Sequence, residues 1–267
     1  MGIYVVTGGR NGIGRSVVET LQSGGNTVYS IDYEGGDVVA DLSIPEARQE
    51  AIRRIYALCP EGIDGLACIA GIAGPKGGKN SPCIGVNYYG SVRMAEGLFP
   101  LLEKRRGACV MTASGSITWG RERATSNFVD CILDCEDEAR VCALADSFPL
   151  FTGPNMYFAS KLAVAKWARR SSTEWGLRGV RLCVVAPGCV DTRLGVKPEG
   201  VKVNESFHMT IPMYYQPRQE EEHTMPPHDL GEAITFLLSD RASGCAGSIF
   251  YVDAGQEAFY HPDKLYY

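Results

Sequence analysis

Two side chains four positions apart, Tyr157 and Lys161, are the residues of this chain best suited to chemistry. The stretch Tyr157-Phe158-Ala159-Ser160-Lys161, with Leu162, Ala163 and Val164 behind it, suits a helix, which places the phenol and the ammonium on one face. An adjacent cation favours the phenolate. The tyrosine's pKa is therefore expected to fall from about 10 toward the working pH, as a proton carrier needs. Spacing alone does not separate such a pair from two solvated side chains on a surface helix. The elements that must position it decide the matter.

The chain has 267 residues, 45% of them apolar, enough for one substantial core, and a single α/β domain over residues 1–267 is expected. A formal net charge of −5 offers no basic face. That argues against nucleic acid and anionic membranes as partners and leaves small molecules or copies of the same chain. The first strand-like run begins at Ile3, leaving no room for a signal peptide, and no apolar run approaches the length of a membrane span. A cytoplasmic location is expected. Ten cysteines are scattered without a CxxC pair or a Cys/His cluster at zinc spacing, which reads as reduced, mostly buried thiols and no metal. Cys131 and Cys135, four apart on an expected helix, lack a nearby His to complete a site.

Ile3-Tyr4-Val5-Val6 leads into Thr7-Gly8-Gly9-Arg10-Asn11-Gly12-Ile13-Gly14 and then the helical pattern Val17, Val18, Leu21. Strand, glycine loop and helix in that order bring backbone N–H groups and a helix amino terminus to a pyrophosphate. Thr27 to Ile31 reads as a second strand ending at Asp32, 18 residues after Gly14. That carboxylate can bind both ribose hydroxyls of NAD and would repel the extra phosphate of NADP, with Arg10 the one residue that could soften the preference. Asp37 to Ala40 is a third short strand, after which Asp41-Leu42 either reaches the adenine edge or, at Asp41, caps the helix starting near Pro45. Ile44 to Leu58 is an amphipathic helix, and Asp64 to Ala70 a fourth strand running into Gly71, small enough for a nicotinamide ribose to approach. Pro75 to Pro82 is a loop beside that site, expected to be mobile. Val86 to Leu102 is a long helix with Asn87 on its inner side, and Val110 to Ala113 a fifth strand ending at Ser114. The alternation implies a parallel, doubly wound sheet binding its ligand at the strands' carboxyl ends, where Gly8, Asp32, Gly71 and Ser114 fall.

With these segments in place the sequence resembles the short-chain dehydrogenase/reductase family. Its TGxxxGxG loop is present as Thr7, Gly8, Gly12 and Gly14, and its catalytic set as Asn87, Ser114, Tyr157 and Lys161, in family order. The stretch Pro187-Gly188-Cys189-Val190-Asp191-Thr192 matches the segment after the sixth strand, where the Val190 backbone and the Thr192 hydroxyl hold the nicotinamide carboxamide. The resemblance implies a Rossmann-type sheet of about seven strands, helices on both faces, and cofactor contacts from Thr7, Gly8, Arg10, Asn11, Gly12, Ile13, Gly14, Asp32, Asp41, Leu42, Ala70, Gly71, Tyr157, Lys161, Pro187, Gly188, Val190 and Thr192. It implies that Tyr157 takes the alcohol proton, Lys161 lowers its pKa and holds the ribose, Ser114 bonds the substrate oxygen, and Asn87 positions a water. One departure is Cys68-Ile69-Ala70-Gly71 in place of Asn-Asn-Ala-Gly, which puts local bracing of the sheet in question.

Ser114 and Tyr157 lie 43 positions apart, more than most members of that family have. The excess reads as a helical insertion at about 124–152. Phe128, Cys131, Ile132, Cys135, Ala139, Cys142 and Ala143 form its apolar face, and Asp130, Asp134, Glu136, Asp137 and Glu138 an acidic face taken as solvated. Lying over the helices that build a four-helix oligomer contact, it is expected to block that contact and favour a homodimer through another surface. The insertion, Gly2 to Ser43, Val86 to Gly90, and the carboxyl terminus beyond Gly255 resemble the bacterial 3α-hydroxysteroid dehydrogenase/carbonyl reductase branch. That implies NAD-linked oxidoreduction at the 3-position of steroids or bile acids. Residues about 193–227 carry Leu194, Val196, Val201, Phe207, Met209, Ile211, Met213, Tyr214 and Tyr215, which suit a lid over a flat apolar substrate or, equally, ordinary core or a dimer interface. His208, His223 and His228 show no catalytic pattern. Phe259, Tyr260, Tyr266 and Tyr267 are expected to pack on a partner subunit or near the substrate mouth. Alternatives are a broader secondary-alcohol dehydrogenase or carbonyl reductase, and a non-catalytic NAD-binding module.

Overall fold

The computed structural model describes residues 1–118, 123–150, 155–192, 194 and 225–264, apart from the side chains of Arg123 and Ala124. Short apolar runs become strands at Ile3–Thr7 (β1), Thr27–Asp32 (β2), Val38–Val39 (β3), Gly65–Cys68 (β4), Ala108–Thr112 (β5), Arg181–Pro187 (β6) and Ile249–Val252 (β7). They form one parallel sheet in the order β3-β2-β1-β4-β5-β6-β7. The order reverses beside β1, so a crevice opens between the ends of β1 and β4, as the Rossmann-type expectation required.

Successive strand residues point to opposite faces, and both faces are covered. Val5, Leu66, Cys109 and Leu182, in register across four strands, pack toward Ala51 and Ile55 of Pro45–Leu58 (α2), Val92 and Leu98 of a later helix, and Ala163 of the Tyr157 helix. Val6, Ala67 and Val110 pack toward Val17 and Leu21 of Gly12–Ser23 (α1). Leu230 and Ile234 of the helix Pro227–Leu238 complete that second core. Those two helices meet closely: a Cβ on Gly231 would stand 2.3 Å from the Ser16 hydroxyl.

The segment expected as one helix from Val86 to Leu102 starts earlier and is not regular. Ser81–Ile84 (α3) runs into a π-helical segment, Gly85–Gly90, and then into Ser91–Arg105 (α4). The widened turn lets glycine backbone press on the chain after β3: a Cβ on Gly90 would lie 3.1 Å from Leu42 Cβ, and one on Gly85 3.3 Å from Ser43 Cα. The loop expected from Pro75 to Pro82 is shorter for the same reason, with Ser81 and Pro82 already helical. Its tip is a Lys76–Lys79 hairpin, turned by Gly77 and Gly78 at φ 60° and 73°.

The insertion is two helices, Arg123–Asp134 (α5) and Glu138–Ser147 (α6), broken at 135–137 where Asp137 caps the second by accepting from Arg140 N. Helix α5 packs on Met156–Leu177 (α7), the helix of Tyr157. Its acids are not merely solvated. Asp130 pairs with Lys166 and Asp134 with Arg170, each at 3.2 Å on the surface, and Glu138 pairs with the buried Arg48. Helix α6 is also fixed to the start of α3. Asn80 Nδ2 donates to the carbonyls of Ala145 and Phe148 at 3.0 Å each, and the Asp146 carboxylate accepts from Ser81 N at 2.7 Å and Ser81 Oγ at 2.8 Å.

Beyond β6 the described chain returns to itself. Met225 N donates to Cys189 O at 2.8 Å, and Asp191 N to Met225 O at 2.9 Å. Pro227–Leu238 (α8) follows, and Gln256–Tyr260 (α9) ends the described elements, with Phe259 and Tyr260 about half exposed. All ten cysteines are free thiols. No helix among the described residues is long and apolar enough to cross a membrane.

Candidate active site

Strands β1, β2, β4, β5 and β6 end at one edge of the sheet, and nearly every residue singled out from the sequence follows one of those ends. After β1, Gly8 has φ +72°, and a Cβ there would sit 2.9 Å from the Ala70 backbone. A Cβ on Gly14 would fall 2.0 Å from the Gly8 carbonyl oxygen, so only glycine lets the loop fold onto the first turn of α1. Asn11, at the N-cap of α1, makes no side-chain cap, and no acid stands in the first turn, which leaves that amino terminus open to an anion. Thr192, carried in after β6, lies over this loop: a Cβ on Gly12 would touch its Cγ2 at 2.9 Å.

Thr7 points the other way. Its buried hydroxyl accepts from Ile69 N at 3.0 Å and Ala70 N at 3.2 Å, so it braces the exit of β4 and does not face the groove. Asp32, buried at the end of β2, accepts from Arg10 N at 3.1 Å, while the Arg10 guanidinium turns to Glu34, 2.9 Å from its carbonyl and 3.4 Å from its carboxylate. The Asp41 carboxylate accepts from Ser43 N at 2.9 Å and Ser43 Oγ at 2.7 Å, shaping the turn ahead of α2, whose N-cap is Ile44. Leu42 is buried, and its carbonyl accepts from Arg48 Nη1 at 2.8 Å.

The second group converges around Gly71, where a Cβ would meet Asn87 Oδ1 at 3.1 Å and Lys161 Nζ at 3.4 Å. Asn87, fully buried in the π-helical turn, accepts from Ile72 N at 2.8 Å and donates to Ile72 O at 3.0 Å and Ser160 Oγ at 3.1 Å. Its amide is thus tied to protein groups, and the water-positioning role expected of it gains no direct support from that side chain. Lys161 Nζ donates to Thr112 O at 2.9 Å, at the end of β5. Two residues on, Ser114 stands beside the Tyr157 side chain, near enough to lower its pKa. The amino terminus of α7 is fixed by Asn155, whose side chain accepts from Phe158 N at 3.0 Å.

The electrostatics differ from the sequence expectation. Burial pushes the Tyr157 phenol above its ordinary value, and the Ser114 hydroxyl beside it offsets this only in part. Lys161, 3% exposed and bonded to a neutral carbonyl, is itself brought down from 10.5 to about 8 by burial. No pull from the lysine offsets the phenol's desolvation, so the expected fall is absent.

A half-buried tyrosine and a buried lysine with a serine hydroxyl beside them, set near a glycine loop and a carboxylate at the end of β2, form a dehydrogenase arrangement, and comparison agrees. The chain is 30% identical over 266 residues to the 3-alpha-hydroxysteroid dehydrogenase/carbonyl reductase of Comamonas testosteroni, covering 99% of this chain and 100% of that one. The chain belongs to the short-chain dehydrogenase/reductase family. The crystal structure of the 3-alpha-hydroxysteroid dehydrogenase from Pseudomonas sp. B-0831, complexed with NADH, superposes with a TM-score of 0.85 at 32% identity, covering 98% of this chain and 100% of that one. Coniferyl-alcohol dehydrogenase of Pseudomonas sp. strain HR199 is 29% identical, with 96% of each chain covered. A family described as Enoyl-(Acyl carrier protein) reductase matches residues 143–257.

Three side chains that sequence reasoning missed complete the short-chain dehydrogenase/reductase site. Ser116 donates from Oγ to Ser114 Oγ at 3.0 Å and from its backbone N at 3.2 Å. Ser160 bonds Tyr157 O at 2.8 Å and receives Asn87 Nδ2, joining two members of the set. Cys83 receives Asn87 Nδ2 at 3.4 Å, and burial holds its thiol up at about 11, in its neutral form. Ser116 and Ser160 lie two and three positions from assigned residues and were open to suspicion; Cys83 gave no signal. Of the segment expected to cover the substrate, only Leu194, 42% exposed, and 225–227 are described. Val196, Val201, Phe207, His208, Met209, Ile211, Met213, Tyr214, Tyr215 and His223 lie outside the described residues, as do Tyr266 and Tyr267. His228 is exposed on α8, 4.0 Å from Glu232.

Proposed function

We propose that this chain is an NAD-dependent alcohol dehydrogenase acting on a ring-bearing secondary alcohol, a 3α-hydroxysteroid or bile acid. The observation that carries the chemistry is the convergence of Ser114, Tyr157 and Lys161 at the carboxyl ends of β5 and α7's first turns, with Asp32 at the far side of the crevice. NAD fits the residues present. The Gly8–Gly14 fold leaves no room for side chains and an open helix amino terminus for the pyrophosphate, and Asp32 can accept both hydroxyls of the adenosine ribose. Leu42 would flank the adenine, while Gly71, Pro187, Gly188, Val190 and Thr192 would bound the nicotinamide half. Bound there, NAD supplies the hydride acceptor for the carbinol C–H.

The chain's own work is proton transfer and orientation. Ser114, aimed by Ser116, donates to the substrate oxygen and stabilises charge building on it. Tyr157 takes the hydroxyl proton during oxidation and returns it during ketone reduction. Lys161, anchored on Thr112 O, sits where it can hold the nicotinamide ribose and a proton that follows the phenol's. Asn87 fixes the Ile72 backbone next to Gly71 and so the wall on which that ribose would rest.

The steroid reading is supported by the two hydroxysteroid dehydrogenases of about this length matched end to end. Coniferyl-alcohol dehydrogenase, a weaker match at 29% identity over 96% of each chain, favours a second reading, a broader alcohol dehydrogenase or carbonyl reductase. The test is NADH formation at mildly alkaline pH with NAD or NADP on 3α-, 3β-, 7α- and 12α-hydroxysteroids, coniferyl alcohol and small secondary alcohols. Selective NAD-linked oxidation of the 3α-hydroxyl is expected. Activity on the alcohols alone would discard the steroid, and no turnover at all would leave a binding module. The packing of α5 on α7 is consistent with a homodimer through another surface; sedimentation giving a tetramer paired through α7 would contradict it.

A further inference from the structure

Arg48 of α2 is 3% exposed, a rare place for a guanidinium unless its charge is met. It forks. Nη1 donates to the buried Leu42 carbonyl at 2.8 Å, and Nη2 pairs with Glu138, the first residue of α6, 90 positions away. Glu138 is itself largely covered, its side chain 19% exposed. The turn at 41–43 is gripped on its other flank by the glycines of the π-helical segment, Gly85 and Gly90. Besides the Asp41–Ser43 bonds within it, the turn has two holds from other elements: the backbone of the helix that carries Asn87, and an arginine whose position is set by the insertion. The other ion pairs of the insertion, Asp130–Lys166 and Asp134–Arg170, are exposed and lead to α7.

We infer that Glu138 is a positioning residue for the dinucleotide: through Arg48 it fixes the Leu42 backbone, and with it the wall against which the adenine packs. The inference rests on the proposed placement of NAD with its adenine at Leu42. Without Glu138 the guanidinium is left buried with no counter-charge and swings toward water, since a charge in that position is stable only when paired. Its bond to the Leu42 carbonyl goes with it, and of the two holds from other elements the turn keeps one. The loss falls on the adenosine half of the cofactor, while Tyr157 and Lys161, fixed by Asn155 and Thr112, keep their places.

The experiment measures calorimetric dissociation constants for NAD and for AMP, with steady-state kinetics, on wild type, Glu138→Gln, Glu138→Asp, Arg48→Lys and, as a control in the same insertion, Asp130→Asn. Glu138→Gln is expected to raise both constants about five- to tenfold, with KM for NAD following and kcat changing by less than about twofold. Glu138→Asp, which keeps the charge, recovers most of the affinity, and Asp130→Asn leaves both constants as they were. If Glu138→Gln does not fold, Arg48→Lys serves, because an ammonium cannot span both partners, and AMP affinity falls in it too. Wild-type AMP affinity in a folded Glu138→Gln or Arg48→Lys protein overturns the inference, as does an equal loss in Asp130→Asn. Failure of the wild type to bind NAD or AMP is a separate result, visible before any variant is made, and removes the placement itself.

Discussion

At the adenosine end of the crevice every charge has a partner: Asp32 accepts a backbone N–H, Arg10 meets Glu34, and Arg48 meets both Glu138 and a carbonyl. At the catalytic end two titratable groups, Lys161 buried and Tyr157 half-buried, have no charged partner among the described residues. Lys161 is held by a neutral carbonyl, Tyr157 has Ser114 beside it, and burial moves both toward their neutral forms. One end is built to bind and contributes to stability. The other holds groups whose protonation must change in the reaction, and it costs stability to keep them dry.

Substitutions separate the two ends, and the largest effect belongs to the phenol. Tyr157→Phe removes the proton carrier, so kcat should fall about 10³-fold with the NAD dissociation constant within about twofold. In wild type, alcohol oxidation should keep rising with pH through the ordinary phenol range near about 10, because the folded phenol titrates above it. A plateau well below that range would show a phenolate already stabilised. Lys161→Met should lose about 10²-fold in activity yet gain stability at pH 7, on the order of 2 kcal/mol after discounting the lost Thr112 bond. The sign follows from linkage: the lysine titrates at about 8 folded against 10.5 unfolded, so the unfolded chain holds more protons between those values and wild-type stability rises with pH there. The variant's advantage should therefore shrink from pH 8 upward, read by thermal denaturation at several pH values.

Asp32→Ala tests the other end. KM for NAD should rise about tenfold, with discrimination against NADP narrowing, while kcat with saturating NAD moves far less. The smallest effect is expected from Ser116→Ala, which removes one of two donors on Ser114 Oγ and leaves the backbone N–H: a three- to tenfold drop in kcat, on the order of one hydrogen bond, without change in NAD affinity. A Ser116→Ala enzyme with wild-type kcat would show that Ser114 needs no aiming.

What the sequence made legible was local. Val5 and Val6 before Gly8, and Asp32 at a fixed distance after Gly14, specify strand, loop and helix through the chain's own periodicity, and the strand order follows from alternation. Tyr157 and Lys161 share a face because they are four apart on a helix. The remainder depends on contacts between distant segments. The π-helical turn is understood only once Gly85 and Gly90 are seen against Ser43 and Leu42, and the acidic residues of the insertion diverge, two onto surface cations and one onto a buried arginine. The expected fall in the Tyr157 pKa failed for the same reason: spacing gives proximity to Lys161 but not the burial that outweighs it.

The clasp between Cys189–Asp191 and Met225 has a bearing on how such a chain diversifies. It brings the exit of β6 and the approach to α8 to adjacent points, so the cost of closing the chain over residues 192–224 is met by the sheet and by the packing of α8 on α1. Because closure cost grows only slowly with length, a segment of different size and composition grafted between those points leaves the sheet's register unchanged. The scaffold behaves as a socket: it holds its shape whatever the chain carries between those two points.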